Sequence, residues 1–186
     1  LNPDYALSLI NSSVIYIQNN EPQKAIDQLT HALSVSTEYP TAYDYRAQAY
    51  FLLGKYTDAI ADWQSLLHAQ PETAATYDWI GRSYIALKQF NDALSALDKG
   101  IALDSTLADL YYQKGLAYVE MKEFEKSLPL LQKAIDAGVD VDLAYYNCQL
   151  FQTGRCDQHH PGSCQCCQED PEQSGCENPD EIISDK

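Results

Sequence analysis

From Ala6 to about residue 141 the chain repeats its apolar positions every 34 residues. Tyr16, Tyr50, Tyr84 and Tyr118 share one column, and Leu9, Tyr43, Tyr77 and Tyr111 share another seven residues earlier. Small residues recur at Ser13, Ala47, Gly81 and Gly115 and again at Ala25, Ala59, Ala93 and Ser127, followed by the bulky Leu29, Trp63, Leu97 and Leu131. Within each half-period the apolar residues fall three and four apart, as one face of a helix requires, so each period predicts two helices. Glycine is a poor helix former. Gly81 and Gly115 in mid-helix therefore predict a close crossing with a neighbouring helix, with the tyrosines filling the space beside it.

Punctuation places the boundaries. First helices are expected over about Asp4–Gln18, Pro40–Leu53, Ala74–Leu87 and Ala108–Met121, and second helices over about Pro22–Val35, Tyr56–His68, Phe90–Ala102 and Phe124–Ala137. Pro22 suits a first helical turn, where a missing donor costs little, and Gly54 lies just past a helix end. Pro129 falls inside the last of these helices and predicts a kink or a loose first turn.

These columns resemble the tetratricopeptide-repeat family, whose signature is an aromatic, a leucine-glycine pair, a tyrosine, then alanine, phenylalanine and a closing proline. Tyr77, Ile80, Gly81, Tyr84, Ala93 and Leu97 carry the likeness best, followed by Tyr43, Ala47, Tyr50, Ala59, Trp63 and Pro71. The first repeat has Leu9 for the aromatic and Ser13 for the glycine, and the fourth lacks the closing proline. Such departures suit terminal units. The resemblance implies an all-α, right-handed superhelical solenoid of about four helix-turn-helix repeats, over about residues 6–39, 40–73, 74–107 and 108–141. A capping helix is expected over 142–153, where a fifth register starts with Tyr145 in the aromatic column, and then an irregular tail over 154–186.

In this family the first helices line a concave surface that recognises other proteins. The corresponding positions here are Asp44, Tyr45 and Gln48, then Asp78, Trp79 and Arg82, then Tyr112 and Gln113 with Leu116, preceded by Ile10, Asn11 and Val14 and followed by Tyr146 and Asn147. Aromatic residues of this kind supply contact area at low entropic cost, and Asp44 and Asp78 could meet a basic group. The same aromatics could instead pack on a neighbouring helix, and the carboxylates could simply be solvated. A family subclass grips the carboxylate terminus of chaperones through lysine, arginine and asparagine. Ile10, Val14, Asp44, Gln48 and Asp78 stand where those donors would be needed, which disfavours that ligand.

Charge narrows the partners. With 12 Lys and Arg against 27 Asp and Glu the net charge is -15, which repels phosphate backbones and anionic lipid alike. Nucleic acid and membrane insertion are therefore not expected, the latter also because no apolar run is long enough to span a bilayer. The first residue is Leu1 rather than Met, which is compatible with a removed signal peptide and an extracytoplasmic location, or equally with a trimmed chain.

Every cysteine lies beyond residue 147: Cys148, Cys156, Cys164, Cys166, Cys167 and Cys176. Large apolar residues are too few there for a core, so an ordered tail would need covalent or metal staples. Disulfides are the first reading of an even count. Zinc is the competitor, with His159 and His160 as additional ligands, although the sequence has no pair of C-x-x-C motifs. Free or redox-active thiols are the third.

No catalytic motif assembles: there is no phosphate-binding glycine loop, no H-E-x-x-H and no G-x-S-x-G. His31 and His68 read as surface imidazoles, and the N-x-S sequon at Asn11 falls inside a helix. The expectation is a non-enzymatic adaptor or assembly scaffold without a required cofactor. Two alternatives stand beside it: a structural subunit that uses its tail within a larger complex, and metal or thiol chemistry by that tail.

Overall fold

The computed structural model describes residues 3–139; the expected capping helix and the whole cysteine-bearing tail lie outside these residues. The described residues form eight helices: α1 (Pro3–Gln18), α2 (Pro22–Val35), α3 (Thr41–Leu52), α4 (Tyr56–Ala69), α5 (Ala74–Ala86), α6 (Phe90–Leu103), α7 (Ala108–Glu120) and α8 (Phe124–Asp136). Among the described residues the all-α reading holds, and each helix falls within two residues of its expected bounds. Two compact units are present, the first running to Leu107 and the second from Ala108 onward.

The periodicity extends to the backbone. Two residues past the end of each first helix stands a residue of the same column, Asn20, Gly54, Lys88 or Lys122, with φ of 58°, 72°, 59° and 61°. The next residue's N–H then reaches back to the column tyrosine: Glu21 to the Tyr16 carbonyl at 2.8 Å, Lys55 to Tyr50 at 2.9 Å, Gln89 to Tyr84 at 2.9 Å and Glu123 to Tyr118 at 2.8 Å. This left-handed cap satisfies carbonyls that the helix end would otherwise leave bare, and it turns the chain sharply into the second helix. At the start of α5 the Thr73 hydroxyl accepts from the Thr76 N–H at 3.2 Å. Only Gly54 of the four turn residues adopts this conformation without a Cβ penalty.

In the first unit α1–α2, α3–α4 and α5–α6 pair as helical hairpins, with α2 against α3 and α4 against α5. One core cluster joins Leu9, Ile10, Ile26 and Leu29 of the first hairpin to Ala42 and Ala49 of α3. A second joins Ala47, Trp63 and Leu66 to Tyr77, Ile80 and Ala96. In the second unit α7 packs on α8, burying Leu110, Tyr111, Ala117, Leu131 and Ala134.

The close crossing expected at the mid-helix glycines is present within each hairpin. A Cβ on Gly81 would stand 2.6 Å from Leu97 Cδ2, and one on Gly115 would stand 2.6 Å from Leu131 Cδ2. In the second repeat the same two columns hold Ala47 and the flat ring of Trp63, both fully buried. A planar partner leaves room for one methyl where a branched one leaves none.

Pro129 does not interrupt its helix, since α8 runs unbroken from Phe124 to Asp136. The missing donor frees the carbonyl of Glu125. Both residues are exposed, so water is at hand to satisfy it.

Candidate functional site

In the first unit, α3 carries Asp44, Tyr45 and Gln48, and α5 carries Asp78, Trp79 and Arg82. The outer members of each triplet are one helical turn apart with the aromatic beside them, so each triplet shares one side of its helix. All but Asp78 are partly exposed; Asp78 is 6% exposed. Tyr112 and Gln113 lie on α7 in the second unit, the tyrosine partly exposed and the glutamine buried.

The two triplets of the first unit are joined by side-chain contacts. Asp44 Oδ1 accepts from the indole Nε1–H of Trp63 at 2.9 Å, while its Oδ2 accepts from Gln48 Nε2 at 3.0 Å. Trp63 stacks on Trp79, with centroids 5.7 Å apart and planes inclined by 16°. Phe51 closes edge-on against Trp79 at 5.2 Å. The Arg82 guanidinium carbon lies 5.1 Å from the Trp79 ring centre, and Arg82 Nε stands 2.8 Å from Asp78 Oδ2. The sequence offers core packing and recognition as alternatives for these aromatics. For Trp79, packing does not remove it from the surface: one face is packed on Trp63, yet the side chain stays partly exposed. Tyr45 is likewise packed on the first core cluster and partly exposed.

This wiring changes what the two carboxylates can offer. Asp44 is engaged by Trp63 and Gln48, and Asp78 is buried against Arg82. A desolvated carboxylate is costly without a partner, and Arg82 sets a positive charge against the buried Asp78. The exposed chemistry of this side is aromatic and amide, with the edge of one guanidinium.

Trp63 and Phe51 are the members that inspection of the inner positions alone does not find. Trp63 sits in the bulky column of a second helix, and its indole donor, 19 residues from Asp44, is the only hydrogen-bonding group in that column.

A second polar assembly lies on the other side of α3. Arg46 makes a two-pronged ion pair with Asp62, Nε to Oδ2 and Nη2 to Oδ1, both at 2.7 Å, and its Nη1 donates to Thr30 Oγ1 at 3.2 Å. The guanidinium lies between Tyr43 and Tyr50, 5.9 and 6.0 Å from their ring centres. Burial pushes the Tyr50 hydroxyl above its ordinary 10.0, against the opposing pull of Arg46. In sequence this pair shows as a joint departure from the repeat: 34 residues on, Arg46 and Asp62 become Ile80 and Ala96.

The tail residues Cys148, Cys156, His159, His160, Cys164, Cys166, Cys167 and Cys176 lie outside the described residues. Among the described residues no group of three or more His, Cys, Asp or Glu side chains is placed to hold a metal ion. No described helix is long and apolar enough to cross a membrane. His31 and His68 are exposed, and His31 meets the Tyr5 ring edge-on at 5.5 Å.

Models of the tetratricopeptide repeat match residues 14–74 and 108–137, and a further TPR repeat model matches residues 81–122. Together they cover more than half of the chain. No curated protein matches it. Among solved structures, MamA (41-end) from Desulfovibrio magneticus RS-1 is similar at 23% identity, over 82% of this chain and 87% of that one, with a TM-score of 0.74. TTC0263, a thermophilic TPR protein of Thermus thermophilus, is similar at 19% identity over 92% and 94%, with a TM-score of 0.65. YrrB, described as a TPR protein with an unusual peptide-binding site, is similar at 19% identity over 81% and 78%, with a TM-score of 0.65. At these identities the likeness is one of fold.

Proposed function

Because the chain belongs to the tetratricopeptide-repeat family, we propose that it is a binding protein rather than an enzyme, and that the first helices of its first unit hold a segment of a partner polypeptide. The contact side carries Tyr45 and Gln48 on α3 and Trp79 and Arg82 on α5, with Leu52, 52% exposed, one turn beyond Gln48. In the second unit Tyr112 and Gln113 occupy the matching columns.

The observation that carries this reading is the state of Trp79. It is partly exposed yet held on three sides by Trp63, Phe51 and Arg82. An aromatic already fixed in one orientation loses little entropy when a partner covers it, which is the property that concentrates binding energy in a few residues. The solved structure of YrrB, described as having a peptide-binding site, supports the same use of the fold. With the carboxylates occupied internally, the partner segment suited to this side is apolar and amide-rich rather than basic. Affinity near the micromolar range, roughly -8 kcal/mol, is ordinary for such contacts.

The test begins with peptides selected from a displayed library against the full chain. Gln48→Lys and Leu52→Lys, both at partly exposed positions, should weaken the selected peptides about ten-fold or more while leaving the melting temperature in place. Unchanged binding in both variants would overturn the assignment of this side.

A further inference from the structure

The second and third repeats treat one cleft in opposite ways. In the second repeat, Arg46 fills the space between Tyr43 and Tyr50 and is tied down by Asp62 and Thr30. Advancing each residue by 34 gives Tyr77 and Tyr84 for the tyrosines, Ile80 for the arginine, Ala96 for its carboxylate and Gln64 for the threonine. These five residues line an open cleft of about 510 Å³ between α4, α5 and α6. That volume lies within the ~300–1,000 Å³ range of ligand-holding clefts.

We propose that this cleft receives an arginine side chain from a partner polypeptide, in the place that Arg46 fills from within one repeat earlier. The tyrosine pair is retained, so the two aromatic walls that flank the Arg46 guanidinium are present again. Ile80 and Ala96, 4% and 6% exposed, form an apolar floor for the methylene stem. Asp92 lines the cleft and supplies a carboxylate for the head group, beside Glu72, which also accepts from the Tyr77 hydroxyl. Gln64 stands where Thr30 accepts from Arg46. The cleft is on the far side of α5 from Trp79 and Arg82, since residues 77, 80 and 84 follow one helical face and 79, 82 and 86 the other. It therefore stands or falls independently of the binding side assigned above.

Lys99 is the local competitor. Its Nζ lies 5.7 Å from the Tyr77 ring centre, so one cation already rests at that wall, whereas the second repeat has Ser65 in this column. Removing the Lys99 charge should favour an incoming cation. It should disfavour an incoming carboxylate.

The experiment follows the ring signals of Tyr77 and Tyr84 in the full chain during titration with acetyl-arginine amide and, separately, its neutral analogue acetyl-citrulline amide. Saturable shifts are expected with the arginine compound, with the citrulline compound weaker by about five-fold or more. Asp92→Asn should weaken the arginine compound by about five-fold, and Lys99→Ser should strengthen it by a similar factor. Ile80→Arg combined with Ala96→Asp, which copies the second repeat into the third, should abolish it. Absence of saturable shifts, equal response to the citrulline compound, or weakening in Lys99→Ser would each overturn the proposal, the last by marking a carboxylate as the occupant. If circular dichroism shows the double variant unfolded, the citrulline comparison and the two single variants still decide.

Discussion

Gly81 and Leu97 stand so close across the α5–α6 hairpin that a Cβ on residue 81 would fall 2.6 Å from Leu97 Cδ2 and 2.7 Å from its Cγ. Leu97 is fully buried, so its branch point has nowhere to retreat. In an isolated helix, Gly→Ala stabilises by about 1 kcal/mol. Here overpacking costs about 1–3 kcal/mol and reverses the sign. Urea unfolding should show Gly81→Ala less stable than the parent but, in a Leu97→Ala background, more stable than Leu97→Ala alone. Stabilisation by the single change would show that the crossing is not tight.

The Arg46–Asp62 pair invites a cycle whose end point the protein already contains. Asp62→Ala alone leaves a half-buried guanidinium without its main partner and should cost about 3 kcal/mol. Arg46→Ile with Asp62→Ala reproduces the Ile80 and Ala96 arrangement and should recover most of that loss, giving a coupling of about 1–3 kcal/mol. Additive losses would mean that the ion pair contributes nothing beyond its separate side chains.

Trp63 reaches the proposed binding side only through others. Trp63→Phe removes the donor to Asp44 Oδ1 and part of the stack under Trp79. Unfolding should show a loss of about 2 kcal/mol. Selected peptides should also bind more weakly, although Trp63 itself is fully buried. Peptide affinity equal to the parent's would sever Trp63 from the recognition side.

Lys88 adopts φ 59° in the turn column where the second repeat has Gly54. A non-glycine residue in this conformation costs roughly 1–2 kcal/mol, of which glycine returns part to the unfolded chain's entropy. Lys88→Gly should therefore raise stability by about 0.5–1 kcal/mol in denaturant titrations. Gly54→Ala should lower it.

Alkaline pH tests Tyr50 and Tyr77. Burial lifts the hydroxyls of Tyr50 and Tyr77 above 10.0, and for Tyr77 hydrogen bonding to Glu72 adds to the rise. A folded-state value above the unfolded one means that the protonated form is favoured by folding. The associated stability is then complete below about pH 10 and is lost as pH rises through the raised folded values. The late ionisations of Tyr50 and Tyr77 should be visible in tyrosinate absorbance. Tyr50→Phe should remove one of them and shallow the alkaline fall in stability; a full set of tyrosines ionising at the ordinary value would contradict the assignment.

Much of this architecture is legible in the chain itself. A 34-residue period, with apolar positions three and four apart, leaves helical hairpins as the arrangement that buries each stripe, and the helix bounds follow within two residues. The glycines at 81 and 115 likewise announce a close crossing, because helix propensity alone would not place them there. The left-handed turns at Asn20, Lys88 and Lys122 are less visible, since only Gly54 in that column carries the usual mark.

What tertiary structure decided is which polar groups face each other. Asp44 reads in sequence as an acidic groove residue, but its charge is turned to an indole 19 residues away; Asp78, another such residue, is buried against Arg82. Periodicity reports which side of a helix a residue occupies, whereas a hydrogen bond depends on rotamer and distance across two helices, and no spacing rule encodes those. The Arg46–Asp62 pair and its open counterpart around Ile80 and Ala96 make the same point. Both columns can be read from the chain, but only the folded hairpins show one cleft filled from within and the next left open.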